Sequence, residues 1–197
     1  KDNGAVGVVM KPFDGDRFML DPYFYPFYAE AERLDMTITI HIANASDHLF
    51  SAITTPYDPS GGMPQFRMPT IHGCHGLLLS DLPRTFPKLR WGFIESSAQW
   101  VPWVIHEVKR RALQNGTYMP DNPFKEYAVY VSAQTDDDFS YVFEYVGDEN
   151  VVMGTDYGHT DTSSEVDAIE IFRNLDTVDD ASKTKVLWDN SVALYGL

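Results

Sequence analysis

Five short apolar runs, at residues 5–10, 36–42, 90–95, 128–132 and 150–154, alternate with stretches of helical periodicity. No other feature narrows the possible folds so far. Apolar runs without polar alternation read as strands buried on both faces, and helices between them are the crossovers that parallel strands require. The helical stretches are 22–34, 69–82, 98–113, 139–146, 165–174 and 181–195. In the third of these, Val101, Val104, Ile105 and Val108 share one face, Lys109-Arg110-Arg111 stands near the end and Gly116 follows as a stop signal. Asp136-Asp137-Asp138 is expected to cap 139–146, and Ser163-Ser164 to cap 165–174. Segment 54–68, rich in proline and glycine, reads as a long loop. The expected class is α/β, with residues 1–197 forming one domain undivided by linker or repeat.

With 44% hydrophobic residues in 197, the chain has stock for a sizeable core. Fifteen basic against 29 acidic residues leave a net charge of −14, the wrong sign for nucleic acid or an anionic membrane. Fourteen acids fall within 133–180, beside the single base Arg173, and read as helix starts and solvated faces. One cysteine, Cys74, allows no disulfide within the chain and suits a reducing, cytoplasmic setting. No apolar run approaches a membrane span, and no signal-peptide pattern is read at the start. Gly61-Gly62 stands alone, so nothing supports a phosphate loop, and no serine sits in a nucleophile elbow.

In parallel α/β proteins chemistry gathers beyond the carboxyl ends of the strands. The polar residues found there are His41, Glu95, Gln134 and Asp156, with His159 and Asp161 on the last loop. Each has a plainer alternative. His41 would be a core histidine donating to a carbonyl, Asp156 a helix cap, and Glu95 a partner of Arg90 or Lys109. A recurrence of ligand-type and proton-transfer side chains at several strand ends favours a site. His48, Phe50, Tyr57, Phe66 and Trp100 are placed near the same rim, with His48, Phe50 and Trp100 as substrate contacts. His72-Gly73-Cys74-His75 matches no structural zinc spacing. His106 reads as surface, and Trp91, Trp103 and Trp188 as core or interface.

Several stretches together resemble the amidohydrolase-related family, the branch that includes aminocarboxymuconate-semialdehyde decarboxylase and resorcylate decarboxylases. They are Asp21-Pro22 with Phe27-Tyr28-Ala29-Glu30-Ala31-Glu32 before a strand ending in His41, then Phe86-Pro87-Lys88-Leu89-Arg90. Gly154-Thr155-Asp156-Tyr157-Gly158-His159-Thr160-Asp161 follows, and Asn190 through Tyr195-Gly196-Leu197 closes the match. The resemblance implies an incomplete TIM-type (β/α)8 barrel, its last five βα units. It also implies a divalent metal, zinc first and manganese second. His41 matches the fifth-strand metal ligand and Asp156 the eighth-strand aspartate, which doubles as a catalytic residue. Glu95 stands where the family carries a catalytic histidine on the sixth strand, and His159 is taken as a further catalytic group. The first-strand ligand pair has no counterpart, so weak metal binding is expected.

The implied activity is hydrolysis or non-oxidative decarboxylation of a small carbonyl or carboxylate compound, aromatic acids included. Two other readings compete: a metal-free glycosidase pairing Glu95 with Asp156, and a truncated barrel without independent catalytic activity. Because the chain opens on Lys1 almost within a strand, the expectation is a homo-oligomer or a missing N-terminal segment.

Overall fold

The computed structural model describes residues 1–42, 48, 51, 59, 62–160 and 163–197. Each apolar run forms a strand of one parallel sheet: β1 (Gly7–Met10), β4 (Thr37–His41), β5 (Trp91–Ile94), β6 (Val129–Ala133) and β7 (Val151–Met153). Between β1 and β4 lies a hairpin of β2 (Phe13–Asp14) and β3 (Arg17–Phe18) that the periodicity does not announce. The sheet order β1-β4-β5-β6-β7 follows the chain without reversal, the winding of neighbouring strands in a (β/α) barrel rather than of a doubly wound sheet. Registers such as Ile40 opposite Phe93 and Val131 opposite Val151 keep all carboxyl ends on one side.

Burial explains the strand composition. Four of the five residues of β4 and all five of β6 are buried, so neither strand has a solvated face; the alternating threonines of β4, Thr37 and Thr39, are buried with their hydroxyls donating to Leu194 O and Val8 O. On one face the helices Tyr25–Arg33, Met68–Leu79, Val101–Asn115 and Phe139–Val146 cover Ile38, Ile40, Trp91, Phe93 and Val131 in a continuous core. On the other, helix Asn190–Tyr195 sets Leu194 against Tyr130 and Val152. Gly92 permits that approach, because a Cβ there would meet Leu194 Cδ2 at 3.2 Å. Arg90 anchors the helix from beneath, donating from Nε to Leu194 O at 2.8 Å and pairing with Asp35 at 2.7 Å.

Several local expectations need correction. Residues 63–67 of the expected loop are helical, a π turn Met63–Arg67 running straight into Met68–Leu79; residues 54–58, 60 and 61 lie outside the described set. Ser163-Ser164 does not cap the next helix. That helix begins at Ala168 with Asp167 at its N-cap, because Glu165 is held back by its N–H donating to Thr155 O at 3.0 Å. The stretch 181–195 divides into Asp180–Thr184, a π turn Lys185–Asp189 and Asn190–Tyr195. The wider turn sets Asn190 where its amide donates to Asp148 O and Val151 O, at 2.7 and 2.6 Å. Helix Val101–Asn115 continues past Lys109-Arg110-Arg111, so Gly116 at φ 65° ends it while the cations stand a turn earlier. Trp91 is core, but Trp103 and Trp188 are largely exposed. Among the described residues no helix is long and apolar enough to cross a membrane.

Candidate active site

Adjacent parallel strands deliver their last residues to a common rim, and four ligand-type side chains meet there. His41 ends β4; Glu95 follows β5; Asp156 and His159 lie on the loop after β7. Glu95 and Asp156 carry left-handed backbones, φ 65° and 49°, as does Ser97 at 61°. Non-glycine residues adopt that region at a cost of about 1–3 kcal/mol, and such strain collects at functional sites. The Glu95 backbone is pinned further by its N–H donating to Ser132 Oγ on β6 at 2.6 Å.

Glu95 is the most enclosed of the four, its side chain 8% exposed, so its charge needs partners. Neither Arg90 nor Lys109 supplies one; two imidazoles do. His41 Nε2 lies 2.5 Å from Glu95 Oε2, and His159 Nδ1 lies 3.5 Å from Glu95 Oε1. His159 Nδ1 also lies 2.8 Å from Asp156 Oδ1. His41 Nδ1 faces Ile42 O at 2.7 Å, which makes Nδ1 the protonated nitrogen and turns Nε2 toward the cluster. Among the described residues Asp156 caps no helix with its side chain, and its buried Oδ2 has no hydrogen-bond partner.

Two clefts open on this cluster. One, of about 160 Å³, is lined by His41, Glu95, Ser132, Gln134, Asp156 and Ser163, with Ile94, Ala133 and Gly154 as its apolar walls. The other, about 420 Å³, shares His41 and Glu95 and adds Phe66 and His159. Neither arginine nor lysine is among their described lining residues.

The loops that carry the rim are tied together by Asp137, expected only as a helix cap. Its Oδ2 accepts from Gln134 N at 2.9 Å and Ala98 N at 2.8 Å, and its Oδ1 from Ser97 Oγ. Asp138 is the residue that caps Phe139–Val146, accepting from Tyr141 N at 3.0 Å. Asp138 N in turn donates to Gln99 Oε1 at 2.8 Å, a second link between the loops after β5 and β6. No periodicity signals a clamp of this kind, because its members lie about 40 residues apart.

Trp100 is half-buried, its ring edge-on to Phe93 and its indole N–H donating to Ser96 O at 3.1 Å; it lines neither cleft. His48 is exposed, while Phe50, Tyr57 and Asp161 lie outside the described residues. His72 stacks on Phe18 at 4.5 Å, and burial lowers the basicity of both His72 and His75. Cys74 is fully buried and burial pushes its thiol up, so this group stays apart from the rim chemistry.

A divalent cation suits the donor set. Ligand atoms of Glu95, Asp156 and His159 lie within 4.8 Å of one another, and His41 Nε2 adjoins Glu95. The orphaned Asp156 Oδ2 lacks only a positive partner. Two carboxylates with two imidazoles are borderline oxygen and nitrogen donors, the mixture favoured by zinc and manganese. The two carboxylates that a glycosidase would pair share one imidazole nitrogen, His159 Nδ1, at 3.5 Å from Glu95 Oε1 and 2.8 Å from Asp156 Oδ1.

A family model described as amidohydrolase matches residues 1–197. The solved structures similar to this chain include 5-carboxyvanillate decarboxylase from Sphingomonas paucimobilis, at 19% identity and TM-score 0.76, covering 97% of this chain and 58% of that one. An amidohydrolase from Mycobacterium avium subsp. paratuberculosis matches at 20% identity and TM-score 0.81, over 100% and 52% of the two chains. 2,6-Dihydroxybenzoate decarboxylase from Rhizobium matches at 19% identity and TM-score 0.72, over 99% and 64%. No curated protein gives a significant match. The chain therefore spans between about half and two thirds of the length of these structures.

Proposed function

The chain belongs to the amidohydrolase family, and on that premise we propose that its strand-end cluster is the site of a metal-dependent enzyme. The reaction is hydrolysis or non-oxidative decarboxylation of a small carbonyl or carboxylate compound. The observation that carries this reading is Asp156 Oδ2, buried without a partner among three further ligand-type side chains. His41, through Nε2, and Asp156 would hold a divalent metal, zinc before manganese, with Glu95 as a third donor. When bound, such an ion polarises a carbonyl or carboxylate oxygen and lowers the pKa of its water from 15.7 to about 7.

The chain's own groups then manage the protons. Ile42 O keeps the proton on His41 Nδ1 and so keeps Nε2 available. In hydrolysis Asp156 Oδ1 accepts the proton of the attacking water and passes it to His159 Nδ1, 2.8 Å away. His159 is more than half exposed, so it can return the proton to the leaving group or to solvent. In decarboxylation the transfer runs in reverse, from His159 toward the carbon that loses carbon dioxide. Glu95, placed as the family places a histidine, contacts both imidazoles and so sets their positions. Decarboxylase relatives support the carboxylate substrate, and the absence of lysine and arginine from the described lining leaves its negative charge to the metal. The free, buried Cys74 suits a cytoplasmic setting.

The test is elemental analysis and zinc titration of the purified chain beside His41→Ala and Asp156→Ala, with carbon dioxide release and hydrolysis assayed on small aromatic acids and amides. Weak, reversible zinc binding lost in both variants is expected. Unchanged binding in either variant overturns the assignment. The coverage of 52% to 64% of related structures favours one second reading, a chain without independent turnover. Metal binding with no activity on any substrate would select it.

A further inference from the structure

Gln134 ends the loop entry after β6 and lines the smaller cleft with His41, Glu95 and Asp156. Its side-chain Nε2 is buried and has no hydrogen-bond partner. A buried amide donor left unpaired is destabilising, and native proteins keep one chiefly where a ligand or water completes it. We propose that Gln134 is the substrate-binding residue that recognises an oxygen acceptor, a carboxylate or carbonyl oxygen, beside the proposed metal site. This rests on the reading of the smaller cleft as the substrate pocket.

Three observations converge on that role. First, the donor is scarce. The described lining holds no arginine or lysine, and the His41 Nδ1 proton is committed to Ile42 O; Ser132 Oγ accepts from Glu95 N and keeps one hydroxyl proton to donate. Among the described lining residues Gln134 is thus the side chain with an unpaired N–H, set beside carboxylates that repel a substrate oxygen.

Second, the residue is held in place from outside the pocket. Asp137 Oδ2 accepts from the backbone N–H of Gln134, and the same carboxylate fixes Ala98 N and Ser97 Oγ beyond β5. Its backbone therefore keeps a constant offset from the strained turn that carries Glu95. A polar group that only filled space would need no such anchoring.

Third, the pocket sets the ligand's size. The cleft, of about 160 Å³ and open on one side, has room for a group the size of one benzene ring, which fills a ~150 Å³ cavity. Ile94, Ala133 and Gly154 supply its apolar surface. An acid or carbonyl on one ring therefore fits this cleft, and a larger compound can extend into the adjoining cleft beside Phe66.

Isothermal titration of the zinc-supplemented chain with benzoate, acetate and acetamide tests the assignment. Gln134→Met keeps the length and removes the donor; Gln134→Glu keeps the shape and replaces the donor by an acceptor. Both variants should weaken benzoate at least tenfold with unchanged zinc stoichiometry, and Gln134→Met should melt no lower than the parent. The melting temperature separates the two roles, because a residue holding the fold together would lower it on removal. Equal affinity in parent and variants overturns the proposal, as does failure of the parent to bind all three probes or a lower melting point for Gln134→Met. Zinc content is read on the same samples. Loss of zinc binding alone would sink the metal assignment, whereas retained zinc without dependence on Gln134 would sink this one.

Discussion

His41 Nε2 and Glu95 Oε2 lie 2.5 Å apart across the carboxyl ends of adjacent strands, while the other ring nitrogen of His41 faces its neighbour's carbonyl oxygen at 2.7 Å. With a proton on Nδ1, the Nε2 lone pair and a carboxylate oxygen repel each other at this range unless positive charge is shared with both. The pair therefore marks where positive charge belongs.

Glu95→Gln should weaken zinc binding at least about 10-fold, since it removes the charge of the proposed third donor, and loss of a group that merely orients a ligand already costs about 10–100-fold. The fold should survive, because the side chain remains isosteric. Zinc titration with circular dichroism on the same samples checks both halves.

Asp137→Ala should destabilise the chain by about 2–4 kcal/mol, since it leaves the Gln134 and Ala98 N–H groups and the Ser97 hydroxyl without their acceptor. Chemical denaturation measures the loss. Amide exchange at residues 98 and 134 should quicken more than exchange in the centre of β5, locating the damage at the rim.

Asp148 gives a pH signature far from the site. Burial alone would raise its carboxyl, but hydrogen bonds from Lys185 and Ser182, with the charge of Lys185, outweigh burial and hold it below the usual carboxylate value. A folded pKa below the unfolded one contributes stability that is complete above about pH 4 and fades as the pH falls through the folded value. Asp148→Asn should therefore cost about 1–2 kcal/mol at pH 7, and the difference from the parent should close below about pH 4. Denaturation curves across that range read it directly.

Cys74 should resist thiol reagents in the native state. Its side chain is fully buried and its thiol is raised by burial, so little thiolate is exposed to react. Labelling that becomes fast only in denaturant is the expected result; rapid native labelling would contradict the packing of helix Met68–Leu79.

The strands were legible in the sequence because a parallel sheet covered on both faces leaves continuous apolar runs, and all five runs became strands. The positions of His41, Glu95 and Asp156 at one rim followed from the same pattern, since parallel strands share a direction. Helix Phe139–Val146 was legible to the residue because the Asp136-Asp137-Asp138 run before it is a local signal, and Asp138 is its cap. Where the deciding interaction was distant, the local pattern misled. Ser163-Ser164 offered a cap, yet a backbone bond from Glu165 to Thr155 shifted the helix start to Ala168.

The sequence by itself therefore determined the strand order's raw material and which residue types would stand at the strand ends. Only the tertiary structure decided how those residues engage one another. It turned Glu95 toward two histidines rather than Arg90, made Asp137 a clamp between loops, and left Gln134 Nε2 and Asp156 Oδ2 buried and unpaired. Periodicity arises from solvent acting on each segment alone, whereas hydrogen-bond partners are chosen by distances between segments, and those exist only once the sheet has formed.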